Sequence, residues 1–168
     1  MNFDIADEAR EIRDQVEAFF DSHILPRNPD WIAQVEHGGD PAPAFLKELR
    51  AEAYERGLWN MGLPALADDE PGTRLTNLQF AGVAEVLGRL PWASMVFNCQ
   101  APDVPNMEIL QMFGTPAQKR EYLNPLLEGT TRSAFAMTEP AVASSDATNI
   151  ATAIKRDGDE YVINGHKW

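Results

Sequence analysis

Apolar residues recur at helical spacing over most of the chain, then give way to short runs separated by turn residues. Ile5, Ala9, Ile12, Val16, Phe19 and Ile24 form one stripe with steps of three to five residues, which predicts an amphipathic helix over residues 4–25. Asp4, Asp7 and Glu8 suit its positive end, and Pro26 is expected to stop it. A second helix is expected from Asp40-Pro41 or shortly after, burying Phe45, Leu46, Leu49 and Ala53 and ending at Gly57. Residues 58–74, rich in Gly, Pro and Asp, read as a long loop. Thr76 with Gln79 forms a capping box, and the third helix runs from it to Leu90, ahead of Pro91. Phe80, Val83, Ala84, Val86 and Leu87 wrap much of its circumference, the mark of a central helix.

Pro102-Asp103-Val104-Pro105 splits the next helical stretch into residues 92–100 and 104–113. Thr115-Pro116-Ala117-Gln118 is a second capping box, with Pro at the first helical position, and opens a helix through Leu127 that Gly129 closes. Ser133–Thr138, Ala151–Lys155 and Tyr161–Ile163 then read as strands, with turn signals at Asp157-Gly158-Asp159 and Asn164-Gly165. The expected class is α+β: an all-helical domain over residues 1–130, followed by the first strands of a β-domain over residues 131–168. An Asn-Gly turn should return into a partner strand, yet three residues follow it. Short strands with open edges make a poor independent sheet, so the chain reads as the front part of a longer, truncated or split protein.

Composition narrows the classes. With 44% hydrophobic and 24% charged residues over 168 positions, the chain is that of an ordinary globular protein. No apolar run approaches the ~18 residues of a membrane span, and the acidic N-terminus lacks the basic start of a signal peptide, so the expected location is cytoplasmic, without membrane insertion. The net charge of −12 argues against nucleic-acid binding through a basic surface. Residues 1–70 carry 6 basic and 16 acidic side chains, and residues 71–168 carry 8 and 10, so a polyanionic ligand sits more easily on the second part. Cys99 is a single cysteine, which excludes an internal disulfide and a four-thiolate zinc site. His23, His37 and His166 lack ligand spacing, and no metal is expected.

The chemistry-bearing stretch is Phe135-Ala136-Met137-Thr138-Glu139-Pro140-Ala141-Val142-Ala143-Ser144-Ser145-Asp146. It reads as a strand, a Pro turn and a small-residue loop whose hydroxyls and backbone amides can face one ligand or serve as turn hydrogen bonds. Together with Asp157-Gly158-Asp159-Glu160-Tyr161-Val162-Ile163-Asn164-Gly165-His166-Lys167-Trp168, it resembles the acyl-CoA dehydrogenase signature. Gly114-Thr115-Pro116-Ala117-Gln118-Lys119 and Tyr122-Leu123-Asn124-Pro125-Leu126-Leu127 resemble the helix that precedes it in that family. The Met-Thr-Glu-Pro spelling, with Val142-Ala143-Ser144-Ser145-Asp146 after it, is similar to the subgroup containing phosphotransferase-fused members and their stand-alone bacterial relatives.

The resemblance implies a helical domain, a β-barrel-like middle domain and a C-terminal four-helix domain absent from this sequence. It also implies FAD as cofactor and an acyl-CoA thioester as substrate, dehydrogenated between its α and β carbons to the 2-enoyl-CoA. Phe135 and Met137 match residues that meet the flavin, and Thr138 matches a hydroxyl donor to its pyrimidine side. Ala143, Ser144 and Ser145 match the loop that meets FAD and the thioester end of CoA, with the choice between the two serines open. Val96 and Cys99, in the Pro-interrupted stretch from Met95 to Met107, are candidates to line the acyl channel or to be core. No catalytic residue is assigned in this chain, since the family's base lies in its C-terminal domain and Glu139 is expected to cap backbone amides. An electron-transferring flavoprotein or similar acceptor and a homodimeric or homotetrameric assembly are the implied partners. The alternatives are an acyl-CoA oxidase and a non-catalytic acyl-CoA-binding or split-subunit paralogue.

Overall fold

Among the described residues the first helix, α1, spans Asp7–Phe19, with Asp7 and Glu8 in its first turn, where acidic side chains suit the positive end of a helix. A computed structural model describes residues 7–168, so the expected contributions of Asp4 and Ile5 lie outside the described residues. Ala9, Val16 and Phe19 are buried as the stripe predicts. Pro26 does not stop the helical run. A π-turn at Phe20–Ile24 and a 3-10 turn at Leu25–Arg27 lead into α2 at Asn28–Trp31 and a further π-turn at Ile32–Glu36. Pro26 sits in the opening turn of a new short segment, where its missing N–H is not needed.

α3 (Ala44–Glu55) buries Phe45, Leu46, Leu49 and Ala53. α4 (Asn77–Leu87) starts at Thr76, whose hydroxyl accepts from the Gln79 N–H while the Gln79 side chain accepts from the Thr76 N–H. This helix ends at Leu87 rather than Leu90 and is not central. Val83, Val86 and Leu87 are buried, but Ala84 is exposed, Phe80 is half-buried and Leu78 is 48% exposed. The proposed 92–100 helix shortens to α5 (Ala93–Val96), and α6 follows at Asp103–Phe113. A last helical run contains α7 (Pro116–Gln118), a π-turn at Lys119–Leu123 and α8 (Asn124–Leu127), entered through the Thr115/Gln118 capping box.

The chain forms two compact units, the first reaching Ser133 and the second covering Ala134–Trp168. The helical unit has a main core drawn from α1, α3, α4 and α5 and a smaller one in which Leu63 and Leu66 meet Met107, Leu123, Leu126 and Leu127. Residues 58–74 form neither helix nor strand, as expected, yet Leu58, Trp59, Met61, Leu63 and Leu66 are buried. This loop supplies both cores, and its backbone is paired rather than solvated, with the Asn60 N–H donating to the Phe97 carbonyl at 3.0 Å.

In the second unit β1 (Ala153–Asp157) and β2 (Glu160–Asn164) form an antiparallel hairpin with Ile154 opposite Ile163. Gly158, at φ +62°, makes the turn. Ser133–Thr138 is not a strand, because no segment among the described residues offers it a ladder. β1 starts at Ala153 rather than Ala151, since the Ala151 and Thr152 N–H groups donate to the Glu139 carboxylate instead. The Asn164-Gly165 turn does not form. Gly165 lies so close to Thr152 that a Cβ there would stand 2.1 Å from its hydroxyl oxygen, a close approach that glycine permits.

Candidate functional site

Glu139 organises the second unit. Its side chain is buried, and it accepts from the Ala151 N–H at 2.8 Å, the Thr152 N–H at 2.9 Å and the Thr152 hydroxyl at 2.5 Å, with Lys167 Nζ at 3.0 Å. The Thr152 hydroxyl first, then the Ala151 amide, outweigh desolvation and hold this carboxyl down at about 2. Glu139 is therefore an ionised cap for backbone amides, as the Thr-Glu-Pro spelling suggests. Its own N–H donates to Ser144 Oγ at 2.9 Å, which folds the 143–145 loop back onto the turn and buries Ser144.

The residues around this anchor point outward. Phe135 is 67% exposed and Met137 37%, while Thr138, Ala143 and Ser145 are exposed. Lys167 Nζ donates to the Met137 carbonyl at 2.9 Å, and the Trp168 N–H donates to the Thr138 carbonyl at 3.0 Å. The Met137 and Thr138 carbonyls are thus occupied, and no hydrogen bond within the described residues engages the Thr138 hydroxyl or N–H. An acceptor-rich ring edge would find two donors there, in a segment that also exposes two apolar side chains.

In the helical unit a groove of about 300 Å³ runs between α4 and the segment after it, lined by Phe80, Ala84, Leu87, Leu90, Ser94 and Cys99. Cys99 is half-buried, and its thiol donates to the Phe97 carbonyl. Desolvation pushes this thiol up to about 12 against the opposing Gly62 and Met61 amides. Val96 does not line the groove; it is fully buried in the main core. The structure therefore separates two residues that the sequence reading paired. Among the described residues no group of three His, Cys, Asp or Glu side chains is placed to hold a metal ion, and no helix is long and apolar enough to cross a membrane.

The sequence profile of the acyl-CoA dehydrogenase N-terminal domain matches residues 6–130. The chain belongs to the acyl-CoA dehydrogenase family. A Mycobacterium tuberculosis protein named as an acyl-CoA dehydrogenase, FadE2, is 46% identical over all of this chain, which spans 41% of its length. Human acyl-CoA dehydrogenase family member 11 is 44% identical over 95% of the chain and 20% of its own length. Among solved structures, one from Mycobacterium abscessus described as an acyl-CoA dehydrogenase superposes with a TM-score of 0.88 at 44% identity, over 98% of this chain and 42% of its own. A Bacillus anthracis acyl-CoA dehydrogenase complexed with FAD superposes with a TM-score of 0.66 at 26% identity, over 98% of this chain and 26% of its own.

Two polar clusters in this acyl-CoA dehydrogenase chain escaped the sequence reading. Asp103, 1% exposed, accepts from Arg132 Nε at 2.6 Å, the Ser133 N–H at 2.7 Å, the Ser133 hydroxyl at 2.6 Å and the Gln100 side chain. Burial pushes this carboxyl up, but the Ser133, Arg132 and Gln100 bonds prevail and hold it below the usual range. Its position at the start of α6, beside the Pro102 break, was the available signal, since a carboxylate is favoured at a helix N-terminus. The second cluster joins Asn60 and Asn98, both in the left-handed region at φ 53° and 54°. Asn98 Nδ2 donates to Asn60 Oδ1 at 2.7 Å and to the Leu126 carbonyl at 2.9 Å, while Asn60 Nδ2 and Trp59 Nε1 donate to the Leu127 carbonyl at 2.9 and 2.7 Å. These donors reach the last carbonyls of α8, that of Leu127 and that of Leu126, which also accepts from the Gly129 N–H at 3.0 Å.

Proposed function

We propose that this chain supplies the flavin- and acyl-facing part of an FAD-dependent acyl-CoA dehydrogenase that converts acyl-CoA thioesters to 2-enoyl-CoA. The observation that carries the reading is the exposure of Thr138, with two unengaged donors, in the same segment as exposed Phe135 and Met137. A flavin pyrimidine edge offers carbonyl acceptors and a ring for apolar contact, so the donor set fits it. Phe135 and Met137 supply ring contact, Thr138 the hydroxyl donor, and Ala143 and Ser145 the exposed loop toward FAD and the thioester. Ser144, whose oxygen already holds the Glu139 N–H, shapes that loop from beneath.

Hydride acceptance from the acyl β-carbon is the chemistry that bound FAD supplies. The chain's own residues bind and orient. Thr138 stabilises negative charge at the pyrimidine side, and the α4 groove, with Cys99 in its wall, shelters the apolar tail. Val96, sealed in the core, is assigned to packing. Glu139 does not remove the α-proton, because its carboxylate is ionised, buried and occupied by four donor groups. That base is assigned outside this chain, as are electron transfer to an electron-transferring flavoprotein or similar acceptor and homo-oligomer formation.

Purified full-length gene product is expected to carry FAD and to reduce a ferrocenium acceptor with an acyl-CoA, while the 168-residue chain alone turns over none. A full-length protein that takes up no FAD, or turnover by the isolated chain, would overturn this assignment.

A further inference from the structure

We propose that Lys167 is a positioning residue for the Met137–Thr138 segment: anchored on the buried Glu139, its ammonium fixes the Met137 carbonyl and so keeps the Thr138 donors facing outward. The inference rests on the flavin reading given above. Its basis is local and lies wholly within the second unit. Lys167 Nζ stands 3.0 Å from Glu139 Oε1 and 2.9 Å from the Met137 carbonyl oxygen. The side chains of Lys167 and Glu139 are 25% and 4% exposed, so this pair is shielded from the screening that weakens surface ion pairs. The next residue repeats the contact one step along, with the Trp168 N–H on the Thr138 carbonyl at 3.0 Å.

A segment without a strand partner needs such fixing. Residues 135–139 take part in no sheet; their other backbone bonds are the Met137 N–H to the Phe135 carbonyl at 3.1 Å and the Glu139 N–H to Ser144 Oγ at 2.9 Å. The trans peptide plane carries the Met137 carbonyl and the Thr138 N–H in opposite directions, so holding that carbonyl on Lys167 sets the direction of the Thr138 N–H. Glu139 keeps its Ala151 and Thr152 donors without Lys167, so removing the ammonium frees Met137 while the turn stays anchored. A purely structural lysine would instead loosen the hairpin and the segment together. A lysine that contacted ligand itself would leave the segment's own dynamics unchanged when replaced.

The test uses full-length gene product with Lys167→Met, Lys167→Arg and Glu139→Gln, read by amide hydrogen exchange without FAD and by the FAD dissociation constant. Lys167→Met should speed exchange of the Met137 and Glu139 amides relative to the β1–β2 hairpin. Loss of a charge-assisted bond should weaken FAD binding on the order of 10- to 100-fold. Lys167→Arg, which keeps a cation with several donors, should retain most of both, and Glu139→Gln should move both in the direction of Lys167→Met. If Lys167→Met does not fold, Lys167→Gln, which removes the ammonium and leaves the Glu139 carboxylate on Ala151 and Thr152, gives the same comparison. Unchanged exchange at 137 and 139, or equal loosening of hairpin and segment, overturns the proposal. Failure of the wild-type protein to bind FAD defeats the flavin reading instead, and the exchange data still decide whether Lys167 fixes the segment.

Discussion

The Thr138 hydroxyl and the Cys99 thiol are both polar groups of small side chains, and their surroundings assign them opposite behaviour. Thr138 is exposed and unengaged, and the role proposed for it above is a bond to a charge-bearing flavin. In the full-length protein Thr138→Ala should remove ~1.5–3 kcal/mol of that interaction from the reduced flavin. The flavin potential should drop by roughly 30–65 mV, measured by dye-equilibrated titration. Cys99, with its thiol pushed up to about 12, stays protonated near neutrality and acts as a wall of the α4 groove. Cys99→Phe should therefore shift activity toward shorter acyl-CoA substrates. Val96→Ala should instead cost about 1–3 kcal/mol of stability and leave the chain-length profile alone, because it opens a cavity in the core. Equal loss at every chain length in Cys99→Phe would place the acyl tail elsewhere.

Helix ends in the first unit depend on distant side chains. The run from Pro116 to Leu127 begins in a local capping box, but its C-terminal carbonyls are closed by Trp59, Asn60 and Asn98, residues 28 to 68 positions away. Asn98→Ala should lower stability by about 1–3 kcal/mol in urea unfolding, because it strands the buried Asn60 Oδ1 without a donor, while the Leu126 carbonyl keeps the Gly129 N–H. Thr115→Ala, at the exposed start of the same run, should cost only about 1 kcal/mol. Gly129 ends it at φ +67°, where an added Cβ would stand 2.6 Å from the Trp59 ring. That glycine serves both the left-handed turn and the close packing.

Each of the two units contains a buried carboxylate held below its ordinary range, Asp103 in the helical unit and Glu139 in the second. A carboxyl whose folded pKa is depressed binds its proton more readily when unfolded. Its stabilisation is complete above the ordinary carboxylate range and disappears as pH falls through the folded value. For Glu139 that loss runs from about 4.5 down to about 2. Acid unfolding of the chain, followed by near-UV circular dichroism, should therefore have a carboxylate component that Glu139→Gln and Asp103→Asn each reduce, at the cost of lower stability at pH 7. An acid limb unchanged in both variants would show that other groups govern it.

Much of this protein was already visible in its residue order. The capping boxes at Thr76 and Thr115, the buried set of α3 and the Gly158 turn are local features, decided by periodicity, side-chain reach and backbone freedom. The family signature from Phe135 to Trp168 was equally legible, because spacing along the chain carries it. Other features depended on which segments meet in space. Helical backbone continued beyond Pro26 because its position opens a turn. One face of α4 stayed open because its neighbours cover the other. Ser133–Thr138 formed no strand because a strand needs a ladder partner, which is a property of the assembled fold rather than of propensity. Likewise, Asn60 and Asn98 are ordinary turn residues in sequence and a helix-end seal in the structure. Lys167, 28 residues beyond Glu139, became its ion-pair partner only once the hairpin had brought the two together.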